Sequence, residues 1–124
     1  MGVIKKQALV VDDGEMNRNL LRTFLSITGF DVETAEDGVI GLEKSKLETY
    51  DLVFSDIEMP NMNGLEFLRN LKQQSPYKGT PVIVLSTVNK TEILERAKKL
   101  GAVHYMVKPF DNAKMAEALK IAGF

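Results

Sequence analysis

Residues 8–13 (ALVVDD) are four apolar residues followed directly by two aspartates. Residues 52–56 (LVFSD) repeat the pattern and end in Ser55 and Asp56, while residues 82–87 (VIVLST) end in two hydroxyl side chains. Continuous apolar runs of this length are typical of parallel strands that are buried on both faces of a sheet. We therefore predict three central strands, each ending in polar side chains where it leaves the interior.

Two further strands and a series of helices complete the pattern. A weaker, alternating segment at residues 32–35 predicts an edge strand, and residues 103–107 predict the last strand. Leucines at intervals of three within residues 65–71 have the spacing of one helical face. Gly29 and Gly101 follow two helical segments directly, as C-terminal caps do. Strict alternation of strands with helices predicts an α/β fold with an open, doubly wound, five-stranded parallel sheet and right-handed crossovers.

The composition is that of an ordinary soluble globular protein. The chain has 124 residues, of which 44% are hydrophobic and 27% are charged, enough for one domain with its own core. Its formal net charge of −1 provides no general attraction to nucleic acid or to anionic lipid. The absence of cysteine excludes disulfides, thiolate metal sites and a cysteine nucleophile. Because no apolar signal segment follows Met1, we expect a cytoplasmic protein without a membrane partner.

Chemistry is expected where the strands end. In an open parallel sheet, ligands bind beyond the carboxyl ends of the strands, at the point where strand order reverses. Asp12, Asp13 and Asp56 should converge there, and adjacent carboxylates repel one another unless a cation neutralises them. Oxygen ligands without histidine or cysteine indicate Mg²⁺. Lys108 and Ser86 would hold a phosphoryl group, with Asp56 as its nucleophilic acceptor. Helix capping explains any one of these polar residues, but not all of them together.

Four motifs in this order resemble those of the response-regulator receiver family, which includes single-domain chemotaxis regulators. They are residues 10–13 (VVDD), 55–64 (SDIEMPNMNG), 84–87 (VLST) and 108–110 (KPF). The resemblance covers nearly the whole chain and implies a flavodoxin-like (βα)5 fold with strand order 2-1-3-4-5. It also implies one receiver domain over residues 1–124 with no output domain. Such a protein is a two-component phosphorelay regulator rather than an enzyme.

The resemblance assigns roles to the acidic residues. It implies that Asp56 is phosphorylated by the phosphohistidine of a sensor histidine kinase or a histidine phosphotransfer protein. Asp13, Asp56 and the backbone carbonyl of Glu58 would bind Mg²⁺. Asp12 would act through a metal-bound water.

A conformational switch follows from the same resemblance. Ser86 and Lys108 would contact phosphoryl oxygens, and the Lys108–Pro109 peptide bond would be cis. Tyr105 matches the aromatic switch position, whose rotation is linked to the hydroxyl of Ser86. A downstream protein target would dock on the face built by the fourth helix, the last strand and the last helix. The chain would be a monomer or a weak dimer and would contact no nucleic acid directly.

Three positions depart from the usual family pattern. Asn63 stands where aspartate is more familiar, and Ser86 replaces the commoner threonine. Thr87 is bulkier than the usual alanine or glycine. We expect it to narrow the access of water or of the kinase histidine to the site, and so to affect the rates of reaction there rather than the function.

Two other functions fit part of the pattern. A Mg²⁺-dependent phosphatase of the haloacid dehalogenase type has a similar sheet and an aspartyl nucleophile. Its Asp-x-Asp motif after the first strand is absent here, and the chain is too short for its cap. A pseudo-receiver only binds proteins, but such domains usually lack an acidic residue or the lysine, and all of these are present.

Overall fold

The structure is a computed structural model that describes residues 5–87 and 90–124. Within these residues, five strands alternate with five helices, and one turn of 3₁₀ helix, Ser75–Tyr77, follows the third helix. The elements are β1 (Lys6–Val11), α1 (Glu15–Ile27), β2 (Phe30–Ala35), α2 (Gly38–Leu47), β3 (Leu52–Asp56), α3 (Gly64–Gln73), β4 (Val82–Ser86), α4 (Thr91–Lys99), β5 (His104–Val107) and α5 (Asn112–Ile121). No helix in these two stretches of chain has both the length and the apolar character needed to cross a membrane.

The five strands are parallel and form one sheet in the order β2-β1-β3-β4-β5. This order confirms the predicted flavodoxin-like fold, with β2 as an edge strand. β1 pairs with β2 on one side and with β3 on the other, where Val11 lies opposite Ser55. Strand order therefore reverses beside β1, and the carboxyl ends of β1 and β3 open into the same crevice.

Two apolar layers cover the faces of the sheet. On one face, Leu9 and Val53 pack with Phe67 of α3, and side chains of α2 and α4 border this layer. On the other face, Val10 and Phe54 pack with buried side chains of α1 and α5. Adjacent residues of a strand point to opposite faces, so a strand covered on both sides must be apolar at every position. This is the physical reason for the continuous runs in the sequence.

Local hydrogen bonds and glycines define the helix ends. Asp37, Asn63 and Asp111 are the N-cap residues directly before α2, α3 and α5, and each side-chain oxygen accepts a hydrogen bond from the backbone N–H three residues later. Gly29 and Gly101, just after α1 and α4, have φ angles of 104° and 107°, which glycine adopts without strain. The predicted C-terminal caps are thus confirmed. Asn63 serves as an N-cap, a position that asparagine and aspartate fill about equally well.

Tyr77 connects the end of α2 to the turn after α3. Its side chain is buried, and its hydroxyl lies 2.8 Å from the Ser45 carbonyl oxygen and 2.7 Å from that of Glu48. The same oxygen accepts a hydrogen bond from the Tyr50 N–H at 3.3 Å. One phenol therefore pairs with two carbonyl groups at the end of α2, which the helix itself leaves without partners, and with a backbone N–H in the loop before β3.

The observed strands extend beyond the predicted ones at several ends. β2 begins at Phe30 rather than at residue 32, and β3 and β4 include the polar residues Asp56 and Ser86. Asp56 remains in register with Leu85 of β4. Backbone pairing with a neighbouring strand does not depend on side-chain polarity, so the ladder continues past the last apolar residue.

Candidate functional site

The three acidic residues predicted to converge do so at the carboxyl ends of β1 and β3. Asp12, Asp13 and Asp56 each present a carboxylate oxygen, and these oxygens all lie within 4.8 Å of one another. Asp12 and Asp56 are buried, with exposures of 0% and 1%, whereas Asp13 is exposed. The cluster is therefore open to solvent on the side of Asp13, at the crevice where the strand order reverses.

Neighbouring groups hold the side chain and backbone of Asp12. The Gly14 N–H donates a hydrogen bond of 2.8 Å to Asp12 Oδ1. Arg18 of α1 donates from Nη1 to the Asp12 carbonyl oxygen, also at 2.8 Å. These contacts leave the other carboxylate oxygen of Asp12 directed toward Lys108.

Lys108 bridges the two buried carboxylates. Its Nζ lies 3.1 Å from Asp12 Oδ2 and 3.1 Å from Asp56 Oδ2. The Lys108 N–H donates to the Ser86 carbonyl oxygen at 2.8 Å, which holds the end of β5 against β4. The peptide bond between Lys108 and Pro109 is cis. The lysine thus lies at the strand end where an incoming anion would need a positive charge.

Burial and mutual repulsion perturb the charges of this cluster. Burial, and next the charge of Asp12, raise the pKa of Asp56 from 3.8 to about 7, although Lys108 opposes both effects. Burial lowers the pKa of Lys108, but the two carboxylates outweigh it and raise that pKa above its usual value of 10.5. One ammonium therefore only partly compensates the acidic cluster, and a further cation would be stabilised here.

The donor set fits Mg²⁺. Every potential ligand atom in the cluster is an oxygen, which suits a hard divalent cation. Asp56 Oδ1 is buried and has no hydrogen-bond partner among the described residues. Buried polar atoms normally have partners, so an oxygen left without one is available to a ligand. The exposed side of Asp13 would leave room for the waters that Mg²⁺ usually keeps.

Ser86 contacts a residue that the sequence did not single out for its side chain. Ser86 is fully buried at the end of β4, and its hydroxyl donates a hydrogen bond to Glu58 Oε1. Glu58 is exposed in the loop after β3 and was predicted to contribute only its backbone carbonyl. The sequence shows that Glu58 follows Asp56 by two residues, but it does not show the direction of the Glu58 side chain.

The loop between β3 and α3 is attached to the start of α2. Asn61, which has a φ of 68°, donates from its side chain to Asp37 Oδ2 at 2.8 Å. The Ile40 N–H and then this amide lower the pKa of Asp37. At the other end of the loop, a Cβ added to Gly64 would lie 2.0 Å from the Asp56 carbonyl oxygen. Only glycine allows α3 to begin so close to β3.

The other two predicted positions, Tyr105 and Thr87, lie on β5 and directly after β4, on the side of the sheet away from β2. Tyr105 of β5 is half-buried, borders the apolar layer that contains Leu9 and Phe67, and lies opposite Val84. Thr87 follows Ser86 and is exposed. The structure thus brings Asp12, Asp13, Asp56, Ser86 and Lys108 to one crevice, with Tyr105 on the strand that carries Lys108.

Comparisons with known proteins agree with this geometry. The family model of the response regulator receiver domain matches residues 8–120. The chain is 37% identical over 116 residues to the chemotaxis protein CheY of Treponema pallidum, covering 91% of this chain and 79% of that protein. It is 35% identical over 105 residues to the response regulator ArlR of Staphylococcus aureus, covering 85% of this chain but only 47% of that protein.

A solved structure is similar over nearly the whole chain. The chemotaxis protein CheY4 of Vibrio cholerae superimposes with a TM-score of 0.91 at 34% sequence identity. The match covers 96% of this chain and 99% of that one. The strand order and the position of the crevice are therefore shared with a protein of known fold.

Proposed function

This chain belongs to the response regulator receiver domain family, and on that premise we propose that Asp56 accepts a phosphoryl group from a phosphohistidine. The donor is a sensor histidine kinase or a histidine phosphotransfer protein. The observation that carries the proposal is the environment of Asp56. Its carboxylate is buried at the point where strand order reverses, has one oxygen without a partner, and lies 3.1 Å from the Lys108 ammonium.

The transfer is a substitution at phosphorus. A carboxylate oxygen of Asp56 forms a bond to phosphorus while the bond between phosphorus and the histidine nitrogen breaks. The departing imidazole keeps the electron pair of that bond and takes up a proton. Asp13, Asp56 and the Glu58 carbonyl would hold Mg²⁺, and Asp12 would contribute through a water. The bound ion would neutralise negative charge on the phosphoryl oxygens.

Lys108 and Ser86 are proposed to hold the transferred group. The Lys108 ammonium already lies between Asp12 and Asp56, so a phosphoryl group on Asp56 would give it a further anionic oxygen to contact. The Ser86 hydroxyl can donate one hydrogen bond to the same group. These contacts exist only after phosphorylation, and only contacts that differ between two states can shift their populations.

Signalling is proposed to pass through Ser86 and Tyr105 to the face of α4, β5 and α5. When Ser86 moves toward the phosphoryl oxygens, Tyr105 fills the space that it leaves. A groove of about 460 Å³ lies on this face, and Leu94, Tyr105 and Ile121 contribute to its wall. A protein target that binds the altered face would stabilise it and complete the switch.

The proposed role is that of a phosphoacceptor domain and not of an enzyme that turns over a separate substrate. It would assist its own phosphorylation and its own slow dephosphorylation, in the cytoplasm. Its partners would be proteins only.

Mass spectrometry after incubation with acetyl phosphate and Mg²⁺ tests the proposal. The parent should gain one phosphoryl mass, and Asp56→Asn should gain none. Asp31→Asn, which removes an exposed aspartate of β2, is the matched control and should be phosphorylated like the parent. Equal labelling of Asp56→Asn and the parent would refute the assignment.

A further inference from the structure

The contact between Glu58 and Ser86 has no part in the proposed transfer. Glu58 Oε1 accepts the hydrogen bond that Ser86 Oγ donates. Ser86 is fully buried at the end of β4, and its hydroxyl is the group proposed above to contact the phosphoryl oxygens. In the unphosphorylated chain, the Glu58 carboxylate therefore already accepts the hydrogen bond that Ser86 would donate to a phosphoryl oxygen.

The Glu58 carboxylate and a phosphoryl oxygen would compete for the hydrogen bond that the Ser86 hydroxyl donates. A serine hydroxyl has a single hydrogen to donate, so it cannot serve a carboxylate and a phosphoryl oxygen fully at once. Both bonds are charge-assisted and hence of similar strength. The free energy gained when Ser86 turns to the phosphoryl group is thus reduced by the bond that it gives up with Glu58.

The position of Glu58 permits such an exchange. Its side chain is exposed, so a displaced carboxylate can enter water without the cost of burying an unpaired charge. Glu58 is also close enough to Asp56 for its charge to raise the pKa of Asp56, although less than burial and Asp12 do. Breaking the contact therefore leaves the Glu58 carboxylate hydrated, so its displacement carries little cost.

We propose that Glu58 is a positioning residue whose carboxylate holds the Ser86 hydroxyl away from Asp56 until a phosphoryl group displaces it. This inference rests on the proposed function of Asp56. It assigns to the Glu58 side chain a role separate from that of its backbone carbonyl. The contact stabilises the unphosphorylated conformation and lowers the fraction of phosphorylated molecules that switch.

A set of five proteins separates this role from a simple effect of charge. They are the parent, Glu58→Ala, Glu58→Gln, Ser86→Ala and the double variant Glu58→Ala/Ser86→Ala. A sixth protein, Glu66→Gln, is the control. It removes the charge of a different exposed glutamate, which lies on α3. Each protein is titrated with beryllofluoride, a phosphoryl mimic, in excess Mg²⁺, and binding is followed by amide chemical shifts.

Glu58→Ala should lower the half-saturating beryllofluoride concentration by roughly tenfold, as expected for loss of a competing charge-assisted bond. Glu58→Gln should lie between Glu58→Ala and the parent, because its amide oxygen still accepts a weaker, neutral hydrogen bond. In the Ser86→Ala background, Glu58→Ala should have no effect. In metal-free buffer without beryllofluoride, Glu58→Ala should already shift the Ser86 amide resonance, and Glu66→Gln should not.

Three results would overturn the inference. Equal affinities of the parent and Glu58→Ala would show that the contact does not oppose switching. An effect of Glu58→Ala that persists unchanged without the Ser86 hydroxyl would show that Glu58 acts through its charge alone. An unmoved Ser86 resonance in metal-free Glu58→Ala would show that the contact is not formed. A parent that gains no phosphoryl mass would instead refute the proposed function itself, and this inference with it.

Discussion

Replacing Asp56 with asparagine should stabilise the metal-free protein at neutral pH. Asp56 is 1% exposed, and its pKa in the folded chain is raised from 3.8 to about 7. A group whose pKa is raised by folding binds its proton more tightly in the folded state. Its ionised form therefore opposes folding. The penalty is absent at low pH and grows as the pH rises from about 4 to about 7.

The size of the effect follows from the shift. Each pKa unit corresponds to about 1.4 kcal/mol, so ionised Asp56 costs the fold on the order of 4 kcal/mol at pH 8. Asparagine keeps the shape without the charge, although Lys108 then keeps only Asp12 as an anionic partner. We therefore expect Asp56→Asn to raise the free energy of unfolding by about 2–4 kcal/mol at pH 8. At pH 4 the advantage should fall below about 1 kcal/mol.

Urea unfolding in EDTA, at pH 8 and pH 4, measures this difference directly. Glu43→Gln, which removes one exposed charge from α2, is the control and should change stability by less than about 0.5 kcal/mol. Saturating Mg²⁺ should narrow the gap between Asp56→Asn and the parent, because the cation relieves repulsion only where its ligands are intact. An advantage of Asp56→Asn that is equal at both pH values, or absent at pH 8, would refute the argument.

Four further substitutions test other parts of the structure. Asp13→Asn should bind Mg²⁺ more weakly than the parent in a calorimetric titration. Equal Mg²⁺ affinities of the variant and the parent would place the metal elsewhere. Ser86→Ala should still gain the phosphoryl mass, yet the amide shifts of α4 and β5 on adding beryllofluoride should be much smaller than in the parent; equal shifts would exclude coupling through this hydroxyl. Tyr77→Phe should cost about 1–3 kcal/mol in urea unfolding, because it leaves buried backbone groups unpaired; no loss would mean that water replaces the phenol. Gly64→Ala should cost about 3 kcal/mol or more and slow phosphorylation, because its Cβ would lie 2.0 Å from a carbonyl oxygen of β3; parent-like stability and rate would show that α3 moves away freely.

The fold and the composition of the site could be predicted from the sequence. A strand covered on both faces has no position for a polar side chain, so residues 8–11 and 82–85 were recognisable as continuous apolar runs. Parallel strands present their carboxyl ends at one edge, so Asp12, Asp13 and Asp56 were expected to converge. In the structure, their carboxylate oxygens all lie within 4.8 Å of one another. The element boundaries were less predictable, because backbone pairing carries β3 and β4 through Asp56 and Ser86.

The partners of individual side chains were decided only by the tertiary structure. Glu58 and Ser86 are 28 residues apart, and no local pattern relates them. The same holds for Asn61 and Asp37, which are 24 residues apart. Periodicity specifies which face of an element is buried, but a loop side chain has several staggered rotamers of similar energy. Which rotamer is occupied depends on the acceptor or donor that the packed sheet brings within hydrogen-bond distance. For Glu58, packing β4 beside β3 brings the Ser86 hydroxyl into that position.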